Sequence, residues 1–176
     1  MMRSDFRVRG ATDEDVPGIL EAWKHFMDFH RHLDPHLQRA DDGGDHFAAF
    51  LRAQLAADDA RLWVGEHRLT VVGYCLVRLG QRPPVFEDRA YAEIVDLAVE
   101  QPYRRRGIGT ALVTEAQGWF ERRGIRRVEL RVSTYNEGGL AFWRKLGFRS
   151  YLEVVYRDDP QRSDCNGTLG RTNPAS

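Results

Sequence analysis

The feature that most constrains the fold is a β-rich run that leads, through a short glycine-containing turn, into an amphipathic helix. The run extends from Tyr91 to Val99, and helical spacing of apolar residues extends from Gly107 to Arg123 before Gly124. The turn reads Arg104-Arg105-Arg106-Gly107-Ile108-Gly109-Thr110. Because a helix N-terminus presents unpaired N–H groups and partial positive charge, this strand–turn–helix unit suits a bound phosphate.

The turn lacks the features of two common phosphate-binding motifs. It has no Gly-Lys-Ser/Thr and no three-glycine G-x-G-x-x-G. The pattern therefore favours a pyrophosphate that is neither cleaved nor bound to magnesium. The alternative is a packing turn beside a solvated cluster of arginines.

The rest of the chain predicts alternating strands and helices. Strands are predicted at Phe6–Arg9, Leu62–Glu66, Leu69–Leu79, Tyr91–Val99, Arg127–Val132 and Tyr151–Arg157. Helices are predicted after the capping box Thr12–Asp15, around Phe47–Leu55, at Gly107–Arg123 and at Asn136–Leu146. This order indicates an α/β (α+β) fold with a mixed sheet and helices on both faces. We expect one domain over residues 1–157 and a polar, flexible tail over residues 158–176.

Composition argues against several classes of protein. Lysine plus arginine and aspartate plus glutamate balance at 26 each, so broad capture of nucleic acid or anionic membrane is not expected. No apolar run approaches a membrane span, and the N-terminus has no signal-peptide core. Cys75 and Cys165 make neither a disulfide framework nor a zinc site, which predicts a cytoplasmic protein with reduced thiols and no metal.

Two motifs together resemble the GNAT superfamily of N-acetyltransferases. Val99–Thr110 is similar to that family's acetyl-CoA segment, [Q/R]-x-x-G-x-[G/A], with Arg104, Gly107 and Gly109 at its defining positions. Asn136–Phe148 is similar to its second motif, N-x-x-A-x-x-F-Y-x-x-x-G-F. The resemblance implies an acetyl-CoA-dependent enzyme built on a splayed sheet of six to seven strands.

The resemblance also implies where acetyl-CoA binds. Its thioester end would lie where the fourth strand parts from the fifth. Main-chain groups of Leu97, Ala98 and Val99 would pair with the pantetheine arm, as an added strand pairs with a sheet edge. Backbone N–H groups from Arg105 to Thr110 would hold the pyrophosphate, and Asn136 would contact the pantetheine from the other side.

Attack by an amine on a thioester requires loss of a proton, because an alkyl ammonium has a pKa near ~10.4. The resemblance assigns the general base to Glu93, and strand alternation predicts that Glu93 shares a face with Leu97 and Val99. A solvated or salt-bridged glutamate is the alternative. Asp96, on the opposite predicted face, is a weaker candidate for the base, or a partner for an arginine.

The group that protonates the leaving thiolate departs from the family pattern. Trp143 stands where many members carry Tyr, and an indole has no usable acidic proton. Tyr135 and Tyr151 are the nearest substitutes in sequence, but ordinary strand or helix-flank packing is the favoured interpretation of both. Water could take this role, or the thiolate could leave unassisted.

Three weaker signals lie outside the two motifs. One is a set of histidines around Asp34 that predicts a solvated or substrate-lining loop rather than a metal site: His30, His32 and His36. Another is a set of acidic residues that could attract a cationic amine or simply form a turn and helix cap: Asp41, Asp42 and Asp45. The third is Cys75, which is expected to be buried filler rather than a nucleophile.

The function expected from the sequence is transfer of an acetyl group from acetyl-CoA to a primary amine. The acceptor could be a small molecule, a peptide N-terminus or a lysine side chain. A non-catalytic acyl-CoA sensor or regulatory module is the alternative, since Trp143 replaces the family's acid. Many family members are dimers, so the resemblance allows a homodimer, although the sequence itself does not determine the oligomeric state.

Overall fold

A computed structural model describes residues 5–157 of the chain. The predicted tail, residues 158–176, therefore lies outside the described residues. By internal contacts the chain divides into two units, Met1–Leu140 and Ala141–Ser176, and the boundary falls inside the last helix. No helix of the described residues is both long and apolar enough to cross a membrane.

The elements follow the predicted order up to the last strand. The strands are β1 (Arg7–Gly10), β2 (Ala60–His67), β3 (Thr70–Gln81), β4 (Ala90–Val99) and β5 (Val128–Leu130). The helices are α1 (Val16–Leu33), α2 (Gly43–Ala56), α3 (Ile108–Arg122) and α4 (Glu137–Lys145). Short 3-10 turns occupy Asp13–Asp15, Pro35–Leu37 and Gln101–Tyr103. Helix α1 thus includes His30 and His32, which were predicted to lie in a loop.

The strands form one mixed sheet in the order β1-β2-β3-β4-β5. The first four are antiparallel neighbours, and β5 runs parallel to β4. The sheet confirms the predicted fold class, and residues 5–157 contribute five strands to it rather than the predicted six or seven. Tyr151–Arg157 was predicted to be a strand and is wrong: it has no strand conformation, and all of its residues are exposed.

The two faces of the sheet carry different helices. The face with Tyr74 and Leu76 packs against α1 and α2 in a core that includes Ile19, Trp23 and Leu51. The opposite face packs against α3, where Trp63 meets Trp119 edge to face at 6.3 Å between ring centroids. Burial of each such side chain contributes roughly 1.5–3 kcal/mol.

The start of α1 is fixed by charged hydrogen bonds. The Asp15 carboxylate accepts from the backbone N–H of Thr12 at 2.8 Å, which confirms the predicted capping box. Arg9 of β1 donates to both oxygens of Asp15 at 2.7 Å and also to Glu66 of β2. These bonds to Arg9 hold the pKa of Asp15 below its ordinary value. Helix α1 is thereby tied to the sheet edge.

Candidate active site

The turn before α3 has the backbone shape of an anion site. Gly107 adopts a left-handed conformation with φ +88° as the N-terminal cap of α3, and Arg105 has φ +61°. The first intrahelical bond joins the N–H of Ala111 to the carbonyl of Gly107 at 2.9 Å. The first three N–H groups of α3 therefore have no acceptor within the helix and can donate to a phosphate.

The position of this turn depends on a close approach between α3 and β2. Ile108 is buried at the first position of α3 and packs over Gly65. A Cβ atom added at Gly65 would lie only 2.7 Å from Cγ2 of Ile108. Gly65 thus lets the end of α3 rest directly on the sheet.

The arginine side chains of the turn spread in different directions. Arg104 donates from Nε to the carbonyl of Val99 at 2.8 Å, and its guanidinium lies 5.8 Å from the ring centroid of Phe29 in α1. The guanidinium of Arg106 lies 5.4 Å from the ring centroid of Tyr103. Arg104 therefore faces α1, although its backbone begins the turn.

Strands β4 and β5, the last pair in the order of the sheet, are paired along only part of β4. Their pairing runs only from Ala92 with Val128 to Ile94 with Leu130. Beyond Ile94, β4 continues to Val99 with β3 as its strand neighbour, and no described strand pairs with its other side. This is the gap in which the resemblance places the pantetheine beside Leu97–Val99.

A β-bulge in β4 changes which side chains share a face. Leu76 of β3 lies opposite Asp96, whereas Val77 lies opposite Ile94, so Val95 is an extra residue between them. Because cross-strand partners point to one face, Glu93 and Asp96 both lie on the α1–α2 face. The predicted sharing of a face by Glu93, Leu97 and Val99 is wrong, because strict alternation ignores the extra residue.

Asp96 lies in an unusual environment for a carboxylate. It is half-buried, and the hydroxyl of the fully buried Tyr74 donates to its Oδ2 at 3.3 Å. Burial raises the pKa of Asp96 to about 7, although the Tyr74 hydrogen bond opposes this increase. The proposed arginine partner is absent among the described residues. The second candidate, Glu93, lies opposite Arg78.

A cavity of about 400 Å³ opens between α1 and the end of β4. Its lining from α1 comprises Ala22, His25, Phe26, Asp28 and Phe29. Its lining from β4 and the following segment comprises Ala98, Val99, Glu100, Gln101, Pro102 and Arg104. The cavity thus shares Ala98 and Val99 with the open edge of β4.

An ion pair crosses the rim of this cavity. His25 Nδ1 lies 2.8 Å from Glu100 Oε1, and this contact raises the pKa of His25 above its ordinary value. The backbone N–H of Glu100 is held by the carbonyl of Val72 at 2.9 Å. His25 is 66% exposed, so the pair orients the two elements more than it stabilises them.

Asn136 lies at the start of α4 and acts as its cap. Its Oδ1 accepts from the backbone N–H of Gly139 at 2.9 Å. In the unit that begins at Ala141, Trp143 packs edge to face against Phe148 at 5.2 Å between ring centroids. Gly147 has φ +87°, and the N–H of Phe148 bonds to the carbonyl of Trp143, so the helix ends in a left-handed C-terminal cap. The contact of Asn136 with pantetheine stays a prediction.

The two tyrosines considered as substitute acids are both exposed. Tyr135 is 66% exposed, with its backbone N–H bonded to the Ser133 hydroxyl at 3.3 Å. Tyr151 is 61% exposed within the unit that begins at Ala141. Exposure alone does not identify either tyrosine as the acid that protonates the thiolate.

The weaker signals have local partners. His30 and His32 bond to carbonyls four residues earlier in α1, and His36 lies 3.3 Å from Asp34. Within residues 5–157 there is no group of three or more ligand-type side chains suited to a metal. Among the acidic residues, Asp42 lies 3.1 Å from His46. Cys75 is fully buried and burial raises its pKa, as expected of inert filler.

Tyr74 was not predicted as part of the site. It is 22 residues from Asp96 in sequence, and it lies in an apolar strand that gives no local signal. Asp96 itself is the only charged residue between Glu93 and Glu100, and a lone carboxylate in an apolar strand is a sequence signal for a functional residue. Only the β3–β4 register brings the two side chains together.

Comparisons with known proteins agree with this geometry. The acetyltransferase (GNAT) family model matches residues 20–148. An uncharacterised N-acetyltransferase of Methanocaldococcus jannaschii is 45% identical over 39% of this chain and 30% of its own length. The N-alpha-acetyltransferase RimI of Mycobacterium tuberculosis is 41% identical over 46% of each chain. The chain thus spans less than half the length of these curated relatives.

Solved structures share the fold. A Bacillus halodurans protein, BH1408, superposes with a TM-score of 0.77 at 21% identity, covering 86% of this chain and 99% of that one. A predicted acetyltransferase of Clostridium acetobutylicum, solved with acetyl-CoA, gives a TM-score of 0.69 at 17% identity, covering 87% and 96%. Since the family model covers well over half of the chain, the protein belongs to the GNAT family of acetyltransferases.

Proposed function

We propose that the protein transfers an acetyl group from acetyl-CoA to a primary amine by direct attack in a ternary complex. One observation carries the proposal: the edge of β4 that no described strand pairs with leads, through the 3-10 turn Gln101–Tyr103, into the left-handed turn and the N-terminus of α3. An extended amide chain that ends in a pyrophosphate fits such a continuous track. Membership of the family supports the same assignment.

The two parts of the track suit the two parts of acetyl-CoA. Pantetheine carries amides, which would pair with the open side of Leu97–Val99 as an added strand does. The pyrophosphate would accept from N–H groups between Arg105 and Thr110. The Clostridium acetobutylicum neighbour, which holds acetyl-CoA, supports this choice of cosubstrate.

The acceptor is proposed to enter the cavity beside α1. The cavity meets the open edge of β4 at Ala98 and Val99, where the thioester would end. The carboxylates of its lining are Asp28, which lies 3.4 Å from Arg39, and Glu100, which is paired with His25; an ammonium would compete for them, and Phe26 supplies apolar contact. A peptide N-terminus is the first acceptor to test, because one relative is named an N-alpha-acetyltransferase. Small amines and lysine side chains follow.

Acetyl transfer needs a proton acceptor and a place for negative charge. Two carboxylates of β4, Glu93 and Asp96, face the side of the sheet on which the cavity lies. A main-chain N–H near Leu97–Val99 would stabilise the oxyanion of the tetrahedral intermediate. Since Trp143 cannot donate an acidic proton, the thiolate would leave with a proton from the amine or from water.

The test is a thiol-release assay with acetyl-CoA and a panel of peptides, polyamines, amino acids and small amines, together with a thermal shift on acetyl-CoA alone. Turnover with any acceptor would establish the enzyme and its substrate class. A thermal shift without turnover across the panel would favour an acyl-CoA sensor. The absence of any shift would contradict the acetyl-CoA assignment itself.

A pair of variants at the two ends of α3 makes the binding test specific. Gly107→Val and Gly124→Val replace glycines with left-handed backbone at φ +88° and φ +68°. Both variants carry a similar backbone cost, roughly 1–2 kcal/mol, but only Gly107 lies in the proposed cradle. We expect acetyl-CoA binding to be lost in Gly107→Val and retained in Gly124→Val. Equal binding by the two variants would refute the cradle.

Two finer expectations stay predictions. Fractionation of cells would test a cytoplasmic location, and light scattering would test a homodimer.

A further inference from the structure

We propose that Asp96, positioned by the hydroxyl of Tyr74, is the group that accepts the proton of the incoming amine. The assignment rests on the acetyltransferase activity proposed above and adds a catalytic residue to it. It differs from the assignment of Glu93 that the family resemblance implies. The geometry of β4 distinguishes the two carboxylates.

The side chain of Asp96 points to the face of the sheet that carries the cavity. Because Asp96 lies opposite Leu76, its side chain emerges on the face that packs against α1 and α2. Without the extra residue, Asp96 and Glu93 would lie on opposite faces. The bulge therefore adds Glu93 to the face that Asp96 and Ala98 already share, on the side of the sheet where the cavity opens.

Asp96 is also the carboxylate of β4 nearer to the cavity. Ala98 is the next residue on the same face, and it lines the cavity with Ala22 and Phe26 of α1. The Cα atoms of residues two apart on a strand are separated by about 7 Å, a gap that an aspartate side chain and one water can span. Glu93 lies three residues further from Ala98 along the strand.

The surroundings of Asp96 leave its charge uncompensated. Among the described residues, its recorded hydrogen-bond partner is the Tyr74 hydroxyl, and no cation pairs with it. A half-buried carboxylate without a cation costs free energy, and groups of this kind cluster at functional sites. Burial also raises its pKa to about 7, which suits a base that must work near neutral pH.

The other titratable groups near Asp96 lie elsewhere on β3 or on α1. Arg78 lies opposite Glu93 on β3, and Cys75 points to the opposite face of the sheet. From α1, His25 and Asp28 reach the cavity, where His25 is paired with Glu100.

The proposed step is balanced in atoms and charge. The Asp96 carboxylate takes one proton from the ammonium, and the neutral nitrogen attacks the thioester carbon. As the tetrahedral intermediate collapses, the C–S bond breaks and its electron pair leaves with sulfur, which takes the second nitrogen proton directly or through water. Asp96 then releases its proton to solvent. The net products are the amide, CoA thiol and one proton.

The experiment measures kcat/KM against pH for the wild type, Asp96→Asn, Glu93→Gln and Tyr74→Phe, with Asp58→Asn as an exposed control. Asp96→Asn should lower kcat/KM about 100-fold or more and abolish the acidic limb of the profile. Glu93→Gln should lower it less than about tenfold and keep that limb. Tyr74→Phe should keep turnover but move the limb to higher pH, because the hydroxyl lowers the pKa of Asp96.

Circular dichroism and the acetyl-CoA dissociation constant check that each variant folds and binds cosubstrate. If Asp96→Asn does not fold, the position of the acidic limb in the kcat/KM profile of Tyr74→Phe tests the assignment of Asp96 as the base. Full activity in Asp96→Asn, a greater loss in Glu93→Gln, or an unmoved limb in Tyr74→Phe would overturn the assignment. Absence of turnover by the wild type with every acceptor would instead overturn the proposed activity.

Discussion

Replacement of Asp96 by asparagine should stabilise the fold, and the gain should increase with pH. Burial raises the pKa of this carboxyl from 3.8 to about 7 in the folded protein. The difference between these values corresponds to about 4 kcal/mol above pH 7, since each pH unit is worth about 1.4 kcal/mol. Because the side chain is only half-buried, solvent screening reduces the expected effect to about 2–4 kcal/mol.

The sign follows from proton binding in the two states. Below about pH 4 the carboxyl is protonated in both the folded and the unfolded chain, and it carries no penalty. As pH rises through the range from 3.8 to about 7, the unfolded chain loses its proton first, so the stability of the wild type falls. Asparagine does not titrate, and the variant lacks this loss.

The assay is urea unfolding of the wild type, Asp96→Asn and the exposed control Asp58→Asn across about pH 4 to pH 9. The free energy of unfolding of Asp96→Asn minus that of the wild type should rise with pH, most steeply between about pH 4 and pH 7. Asp58→Asn should follow the wild type. A difference for Asp96→Asn that does not change with pH would refute the reasoning, because it would mean that the carboxyl ionises normally in the folded state.

Three other predictions concern the support of the site. Asp15→Asn should lower the free energy of unfolding by about 1–3 kcal/mol. The loss should be confined to pH values above the lowered pKa of Asp15. As a control, replacement of the exposed Asp13 by asparagine should have little effect in the same denaturation series. Gly65→Val should displace the start of α3 and weaken acetyl-CoA binding measured by calorimetry; unchanged affinity would contradict the close packing. Asn136→Ala should remove the α4 cap at a cost of about 1 kcal/mol, and Asn136→Asp, which keeps a cap acceptor, should restore most of it in thermal unfolding.

Local sequence signals predicted much of this protein correctly. Gly107 and Gly124 mark the two ends of α3 because both adopt left-handed backbone that other residues avoid. The Gly147-Phe148 ending of α4 follows the same logic, and the capping box at Thr12 forms as its spacing indicates. Each of these features depends on residues within one or two turns of each other, so the sequence contains the whole cause.

The direction of the strand side chains depended on more than the sequence. Strict alternation along β4 predicted that the side chains of Glu93 and Asp96 point to opposite faces of the sheet. In the pairing with β3, Val95 is an extra, bulged residue, so both carboxylates lie on one face. The hydrogen bond from Tyr74 to Asp96 depends on the same register. The apolar pattern of Tyr151–Arg157 suited a strand that did not form.

The sequence alone thus determined the turn, the caps and the family, because these follow from local backbone preference and from short motifs. The tertiary structure decided the strand register and, with it, that Glu93 joins Asp96 on the face where the cavity opens. Register is set by hydrogen bonds and packing between segments distant in sequence, and a single extra residue reverses every face beyond it.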